Sequence, residues 1–167
     1  ADLENVLLMW QGLGYYSRAN RIHQSSKILT EFVGKNRDND PILWPNGIDQ
    51  WMSLPGIGRS TAGSIISSAF DLPTPILDGN VKRIYSRLFA RKETLIKDEK
   101  KLWEYSCLLI STLSPRDFNQ ALMDLGTIIC TPKKPNCSSC PLKTYCIAYA
   151  KYDPADFPRK AMTPKKP

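Results

Sequence analysis

Long apolar runs are missing from this sequence of 167 residues. No stretch approaches the roughly 18–20 apolar residues that cross a bilayer, and no charged segment followed by an apolar one opens the chain as a signal peptide would. We therefore expect neither a membrane-spanning protein nor a membrane partner. The chain begins with Ala-Asp-Leu rather than Met, so we also expect it to be part of a longer protein.

Histidine and acidic residues are scarce. The single histidine is His23, which we interpret as a surface or packing residue. The chain has 16 Asp and Glu residues against 23 Lys and Arg residues, which gives a net charge of +7. This excess indicates a polyanionic partner, with DNA or RNA ahead of a membrane surface. The alternative is a basic protein whose charge serves solubility alone.

An even set of cysteines, which a disulfide framework requires, is absent as well. Four of the five, Cys130, Cys137, Cys140 and Cys146, fall in one segment with the spacing C-x6-C-x2-C-x5-C. This arrangement favours metal ligation in a reducing compartment. Four thiolates hold either zinc or a [4Fe–4S] cluster, and the spacing alone leaves both open. Cys107 lies outside the spacing and is interpreted as a small core residue.

Helical periodicity is what the chain does contain, along nearly its whole length and with no convincing strand. The predicted fold class is therefore all-α. Asp2 and Ser17 are the predicted N-caps of the first two helices, Ile22 is predicted to face inward, and Ser114 with Pro115 is predicted to begin a later helix. The predicted helices cover residues 3–11, 17–32, 48–53, 59–70, 80–90, 98–113 and 115–129.

Turn-forming residues mark the divisions of the chain. Residues 34–47 are rich in Gly, Pro, Asn and Asp and are predicted to form a surface loop, which Trp44 and Trp51 border and hold by packing. Lys165 and Lys166 are predicted to lie in a solvated end. The predicted organisation is a helical domain over 1–113, a subdomain with the cysteine segment over 114–150, and a linker or tail over 151–167.

The segment L-P-G-I-G-R-S-T-A-G at 54–63 predicts a tight turn between two helices. Gly56 and Gly58 are predicted to adopt positive φ angles and to leave room for a close approach, and Ile57 is predicted to lock the turn. Backbone N–H groups at the start of the second helix can then hold a phosphate oxygen. Such a hairpin grips a nucleic-acid backbone without reading bases; a turn with no ligand is the alternative.

The segment P-I-L-D-G-N-V-K-R at 75–83 places Asp78 at the start of a helix. By itself this Asp is well explained as an N-cap. Downstream of a phosphate-binding hairpin, the same carboxylate could stabilise positive charge that develops on a sugar carbon during glycosidic cleavage. Asn80 could orient that carboxylate or a water beside it. Lys82 is interpreted as a contact to DNA phosphate, with an amine nucleophile as the alternative.

Together these motifs resemble the MutY-type adenine DNA glycosylases of the helix-hairpin-helix base-excision superfamily. The resemblance extends through 10–19 (W-Q-G-L-G-Y-Y-S-R-A), 54–63, 75–83, 118–126 (F-N-Q-A-L-M-D-L-G) and the cysteine segment. It implies a monomeric helical bundle with a C-terminal [4Fe–4S] loop, located in the bacterial cytoplasm or nucleoid, or in a eukaryotic nucleus or mitochondrion. The implied reaction removes adenine opposite 8-oxoguanine or guanine in double-stranded DNA, after the base is flipped from the duplex.

The resemblance also implies roles for individual residues. Asp78 is the catalytic carboxylate, with Asn80 beside it, and Tyr15 is an aromatic wedge that enters the duplex; a core tyrosine is the alternative. The four cysteines ligate the cluster and brace a loop that presents Lys133, Lys134 and Lys143 to phosphates. The implied DNA-binding residues are Tyr15, Arg18, Leu54, Gly56, Ile57, Gly58, Arg59, Ser60 and Lys82.

Two alternatives remain. An endonuclease III-type enzyme, which excises oxidised pyrimidines, uses a Schiff-base lysine at the position of Ser60, and it carries V-D-T-H-V where this chain has L-D-G-N-V. A non-catalytic DNA-binding module is the other. The general-acid Glu of the family lies upstream of the first matching motif, so we expect these 167 residues alone to release adenine weakly or not at all.

Overall fold

The computed structural model describes residues 1–35, 44–45 and 47–159. Within these ranges no strand forms, and a single isolated bridge joins Thr94 to Arg159, so the all-α prediction is confirmed. The helices are α1 (Leu3–Met9), α2 (Tyr16–Lys35), α3 (Ile48–Met52), α4 (Arg59–Phe70), α5 (Gly79–Leu88), α6 (Leu95–Leu109), α7 (Pro115–Asp124) and α8 (Ile147–Lys151). Short 3₁₀ turns form at Cys137–Ser139, Lys143–Tyr145 and Pro154–Asp156.

Several helix ends follow from local chemistry as predicted. Asp2 caps α1, because its carboxylate accepts a 2.9 Å hydrogen bond from the backbone N–H of Asn5. α4 has the predicted bounds. α7 begins with Pro115 in its first turn, where the missing proline N–H costs no intrahelical bond.

Other predictions about the helices are wrong. Ser17 lies inside α2 and does not cap it, because the chain leaves a left-handed conformation at Tyr15 (φ +50°) and enters the helix at once. Ile22 is exposed, because the inward face of α2 carries Ala19, His23 and Ser25 instead. α6 covers Leu95–Leu109 rather than 98–113.

The predicted helix over 115–129 is also interrupted. After α7 the chain widens into a π-helical turn, Leu125–Ile129, which closes with a 2.6 Å bond from the Cys130 N–H to the Leu125 carbonyl oxygen. Periodicity does not reveal such a widening, because the same residues satisfy either winding.

The chain divides into two compact units, Ala1–Ile66 and Ser67–Pro167. In the first, α1 packs along α2, and Nε2 of His23 lies 3.1 Å from the carbonyl oxygen of Ala1, which confirms His23 as a packing residue. Trp51 is buried and donates a 2.6 Å bond from its indole N–H to the Pro45 carbonyl oxygen. The buried apolar residues of this unit are Ala19, Trp51, Leu54, Ala62 and Ile66.

The second unit is built around α5, which contacts α6, α7, the π turn and α8. Its core consists of Ile76, Leu77, Val81, Ile84, Tyr85, Leu102, Leu122 and Leu125. The prediction that Cys107 is a core residue is wrong: its side chain is exposed. The buried face of α6 follows Asp98, Leu102 and Ser106 at intervals of one helical turn, and Cys107 is rotated away from it.

Parts of two predicted segments lie outside the described residues. These are 36–43 and 46 of the predicted loop, and 160–167 of the tail with Lys165 and Lys166. Among the described helices, none combines the length and the apolar character that a bilayer crossing demands.

Candidate functional site

The hairpin at 54–63 forms a closed turn. Leu54 is buried, and its carbonyl oxygen accepts a 3.2 Å bond from the Ile57 N–H while Gly56 adopts a φ of +79°. The prediction for Gly58 is wrong, because its φ is not positive. Its carbonyl oxygen accepts a 2.9 Å bond from the Ala62 N–H, so Gly58 precedes α4 as the cap residue, a position that takes an extended conformation. A methyl group added at Gly58 would meet no atom within 4 Å, so the space beside it is open.

Helix α2 lies against this hairpin. The Ser25 hydroxyl donates a 3.3 Å bond to the Pro55 carbonyl oxygen, and the side chain of Arg21 lies over Gly56. The groove between them brings together predicted residues from two separate motifs, Tyr15 and Arg18 with Gly56 and Ile57. Of the remaining predicted hairpin residues, exposed Arg59 and half-buried Ser60 form the first turn of α4.

Tyr15 is presented outward by a left-handed turn. Its side chain is 76% exposed, which excludes the core alternative. Gly12 (φ +85°), Gly14 (φ +66°) and Tyr15 itself all adopt positive φ angles, and a non-glycine residue there stores backbone strain. The guanidinium carbon of Arg18 lies 5.2 Å from the centroid of the Tyr15 ring, a cation–π contact.

Asp78 lies at the N-terminus of α5. One carboxylate oxygen accepts a 2.8 Å bond from the Val81 N–H, so the N-cap interpretation is confirmed as local structure. The other accepts a longer bond, 3.4 Å, from the side-chain amide of Asn80. The carboxylate is half-buried and keeps capacity for a further interaction.

A chain of hydrogen bonds continues from Asn80 to the cysteine segment. The Asn80 amide oxygen accepts a 2.9 Å bond from Arg83, whose guanidinium also donates to the carbonyl oxygens of Gly126 (2.6 Å) and Cys130 (2.8 Å). A methyl group on Gly126 would lie 2.5 Å from Cβ of Asn80, so glycine is what allows the π turn to reach α5. Burial lowers the pKa of Arg83, and neighbouring Arg87 lowers it further.

Arg87 holds the start of the cysteine segment from one turn further along α5. Its buried guanidinium donates to the carbonyl oxygens of Thr131 (2.8 Å), Pro132 (2.8 Å) and Phe157 (3.0 Å). It also lies 3.2 Å from both the carbonyl oxygen and the Sγ of Cys130. Sequence reasoning missed Arg83 and Arg87. The available signal was their spacing of four residues from each other on the helix that Asp78 begins.

The four predicted cysteine ligands line one largely apolar cavity beside Arg87. Burial raises the pKa values of the Cys137 and Cys140 thiols, and the nearby thiols of Cys130 and Cys146 raise them further. Within the described ranges, no three His, Cys, Asp or Glu side chains are already arranged as a closed metal site. Four thiols around an apolar cavity, with an arginine donor at one sulfur, fit a multi-iron cluster.

The predicted phosphate-binding lysines have varied surroundings. Lys82 forms a 2.6 Å ion pair with Glu99. Lys133 and Lys134 are exposed, and Nζ of Lys143 lies 5.3 Å from the centroid of the Tyr149 ring. The loop therefore presents two cationic side chains, Lys133 and Lys134, that form no ion pair with the residues the structure describes, whereas Lys82 is already paired.

Comparisons with known proteins agree with this geometry. A family model described as HhH-GPD superfamily base excision DNA repair protein matches residues 1–106, and one described as the iron-sulfur binding domain of endonuclease III matches residues 130–146. The second match confirms the predicted [4Fe–4S] cofactor over zinc. Both matches confirm the predicted helix-hairpin-helix fold with its cluster loop.

Individual proteins similar to this chain are named as DNA glycosylases or as endonuclease III. An adenine DNA glycosylase of Buchnera aphidicola subsp. Schizaphis graminum is 42% identical over 162 residues, which cover 96% of this chain and 45% of that protein. Two solved structures, a thermostable thymine-DNA glycosylase and a non-covalent endonuclease III–DNA complex, have TM-scores of 0.75 and 0.63. Each is 26% identical, with coverage of 90% of this chain and 67% of that one. The chain spans less than half the length of the curated relatives it matches.

Proposed function

Because the chain belongs to the HhH-GPD superfamily of base excision DNA repair proteins, we propose that it is the part of an adenine DNA glycosylase that grips DNA and supplies the catalytic carboxylate. Curated relatives with 36–42% identity over most of the chain are adenine DNA glycosylases, which supports adenine as the base released. The net charge of +7 suits a double-stranded DNA partner.

The position of Asp78 is the observation that carries the proposal. Its carboxylate is held by the Val81 N–H and the Asn80 amide, so little reorganisation is needed when charge develops nearby. As the C1′–N9 bond breaks, its electron pair leaves with adenine, and Asp78 stabilises the positive sugar carbon. Water then supplies hydroxide to C1′, and the remaining proton balances the departing base.

The other site residues act on the DNA. The hairpin Leu54–Ser60 binds backbone phosphate at the start of α4, and exposed Tyr15, with Arg18 on its ring, enters the duplex beside the lesion. Lys82 joins the contact once DNA competes with Glu99. Residues 114–150 form the iron–sulfur subdomain, in which Cys130, Cys137, Cys140 and Cys146 hold the cluster; it braces the loop that carries Lys133 and Lys134.

The proposed substrate is a duplex in which adenine is mispaired with 8-oxoguanine or guanine, acted on by a monomer. Replacement of Asp78 by Asn in the full-length protein tests this assignment. Asn preserves the cap but removes the negative charge, so we expect adenine release from an 8-oxoguanine–adenine duplex to fall on the order of 10²–10³-fold.

Asp2→Asn is the matched control, since Asp2 is also an N-cap aspartate that accepts a backbone N–H bond. It should leave the rate unchanged. Base release near the normal rate in Asp78→Asn, with DNA binding intact, would show that the carboxylate is not catalytic.

A lysine-dependent lyase of the endonuclease III type is the second candidate, because solved structures of that kind share the fold. Ser60 cannot form an imine with the sugar. We expect no covalent protein–DNA adduct after borohydride reduction of a reacting mixture. An adduct that maps to Lys82 would favour the lyase instead.

A further inference from the structure

Arg21 is attached to the hairpin from the neighbouring helix. A methyl group on Gly56 would lie 2.5 Å from Cδ of Arg21 and 3.3 Å from its Cβ and Cγ. The aliphatic stem of the arginine therefore occupies the space that glycine leaves above the turn. The bond from Ser25 to Pro55 fixes the next turn of α2 against the same hairpin.

Within the described part of the chain, the charged end of Arg21 has no partner of its own. Among the described residues, no hydrogen bond or ion pair involves its guanidinium, whereas Arg83, Arg87 and Arg91 all use theirs within the fold. The side chain is exposed and lines the groove that also contains Tyr15, Arg18 and Thr61. None of the described residues lining this groove is acidic.

We propose that Arg21 is a phosphate-binding residue of the hairpin, supplied in space by α2 rather than by the hairpin sequence itself. This inference rests on the proposed binding of duplex DNA. Hairpin N–H groups hold a phosphate by directional bonds but carry no full charge, and a guanidinium adds a full charge and a fork of donors. Packing of the stem on Gly56 restrains the side chain before DNA arrives, so less rotamer freedom is lost on binding.

The assignment also gives Gly56 a second function. The positive φ of Gly56 by itself calls for glycine. A Cβ at this position would in addition lie 2.5 Å from Cδ of Arg21, so the lack of a side chain also makes room for Arg21.

The test measures the affinity of the 167-residue chain, with its iron–sulfur cluster, for a short undamaged duplex over a range of salt concentrations. Arg21→Gln keeps Cβ, Cγ and Cδ on Gly56 and removes the charge. We expect its affinity at low salt to fall on the order of tenfold, and the slope of log K against log salt to become shallower by about 0.9, the value for one phosphate contact. Arg21→Lys should keep the slope and lose less affinity.

Lys27→Gln is the matched control, because Lys27 is exposed on the same helix and does not line the groove. Its slope should equal that of the unmodified chain, and thermal melting should show that every variant is folded. An unchanged slope in Arg21→Gln, an equal change in Lys27→Gln, or no measurable binding by the unmodified chain would overturn the assignment. Adenine release by the full-length protein is a separate readout, so a changed slope in this chain together with a full-length protein that releases no adenine would refute the proposed function alone.

Discussion

The indole N–H of Trp10 donates a 2.8 Å hydrogen bond to the carbonyl oxygen of Gly14. This bond closes the turn in which Gly12, Gly14 and Tyr15 adopt positive φ angles. A tyrosine whose backbone adopts the left-handed conformation is strained, and this conformation persists only when the surrounding contacts stabilise it. Trp10, at the C-terminal end of α1, is therefore a positioning residue for the exposed ring of Tyr15.

Replacement of Trp10 by Phe should loosen this turn. Loss of one hydrogen bond is worth about 1 kcal/mol, so we expect affinity for mismatched duplex to fall about fivefold. In a Tyr15→Ala background the same replacement should have no effect, which gives a coupling energy of about 1 kcal/mol in a double-mutant cycle. Trp51→Phe, which loses an indole bond to Pro45 elsewhere in the unit, is the control. Equal losses with and without Tyr15 would contradict a positioning role.

Replacement of Gly126 by Ala should separate the π turn from α5. The added methyl group would lie 2.5 Å from Cβ of Asn80, so one element must shift, and overpacking of this kind costs about 1–3 kcal/mol. Gly79→Ala adds its methyl group to open space and should leave the free energy of unfolding nearly unchanged. Chemical denaturation of both variants measures the difference; equal stabilities would mean that the contact relaxes without cost.

Replacement of Arg87 by Met should release the cysteine segment. The carbonyl oxygens of Thr131, Pro132 and Phe157 would lose their donor in a buried site, which we expect to cost about 3–5 kcal/mol. Iron content per chain and absorbance near 400 nm should both fall. Arg116→Met removes an exposed guanidinium from the same unit and serves as the control. Full iron content in Arg87→Met would show that the cysteines hold the cluster without this support.

Ionisation of Tyr85 should lower the free energy of unfolding at high pH. Its buried hydroxyl has no hydrogen-bond partner within the described part of the chain, and the adjacent Ser106 hydroxyl donates to the Ile76 carbonyl oxygen. Burial raises its pKa from 10.0 to about 12, with the neighbouring Ser106 opposing the rise. The unfolded chain therefore loses this proton at lower pH than the folded chain. Stability is complete below pH 10 and falls by about 2–3 kcal/mol as the pH rises to about 12.

The Tyr85→Phe variant isolates this contribution. It should lose less stability than the unmodified chain between pH 10 and 12 and equal or exceed it at neutral pH, because an unpaired buried hydroxyl is removed. Denaturant midpoints at several pH values measure both effects. Parallel pH profiles for the two proteins would show that Tyr85 ionises without penalty.

Local sequence signals predicted much of the fold. α4 has its predicted bounds because Gly58 precedes it and the helical period is uninterrupted to Phe70. Asp2 caps α1 as expected, and the four cysteines of the predicted ligand set line one cavity. These features depend on residues close together in sequence, where propensity and capping decide the outcome.

The errors and omissions involve contacts between distant residues. Ile22 and Cys107 are apolar, but the faces of α2 and α6 that turn inward are set by what packs on them. Arg83 and Arg87 reach carbonyl oxygens more than 40 positions away, which no local pattern reveals. The chemical types at the candidate site were therefore predictable, whereas the residues that orient them were not.

The contact between Arg87 and Phe157 limits where this chain can be cut. Phe157 follows α8 and is buried, and its carbonyl oxygen shares a guanidinium with the residues around Cys130. Truncation ahead of Phe157 would leave a cavity in the second unit and remove a hydrogen-bond acceptor of Arg87. A minimal expressible version that keeps its iron should therefore extend at least through Arg159, whose bridge to Thr94 ties this segment to the start of α6.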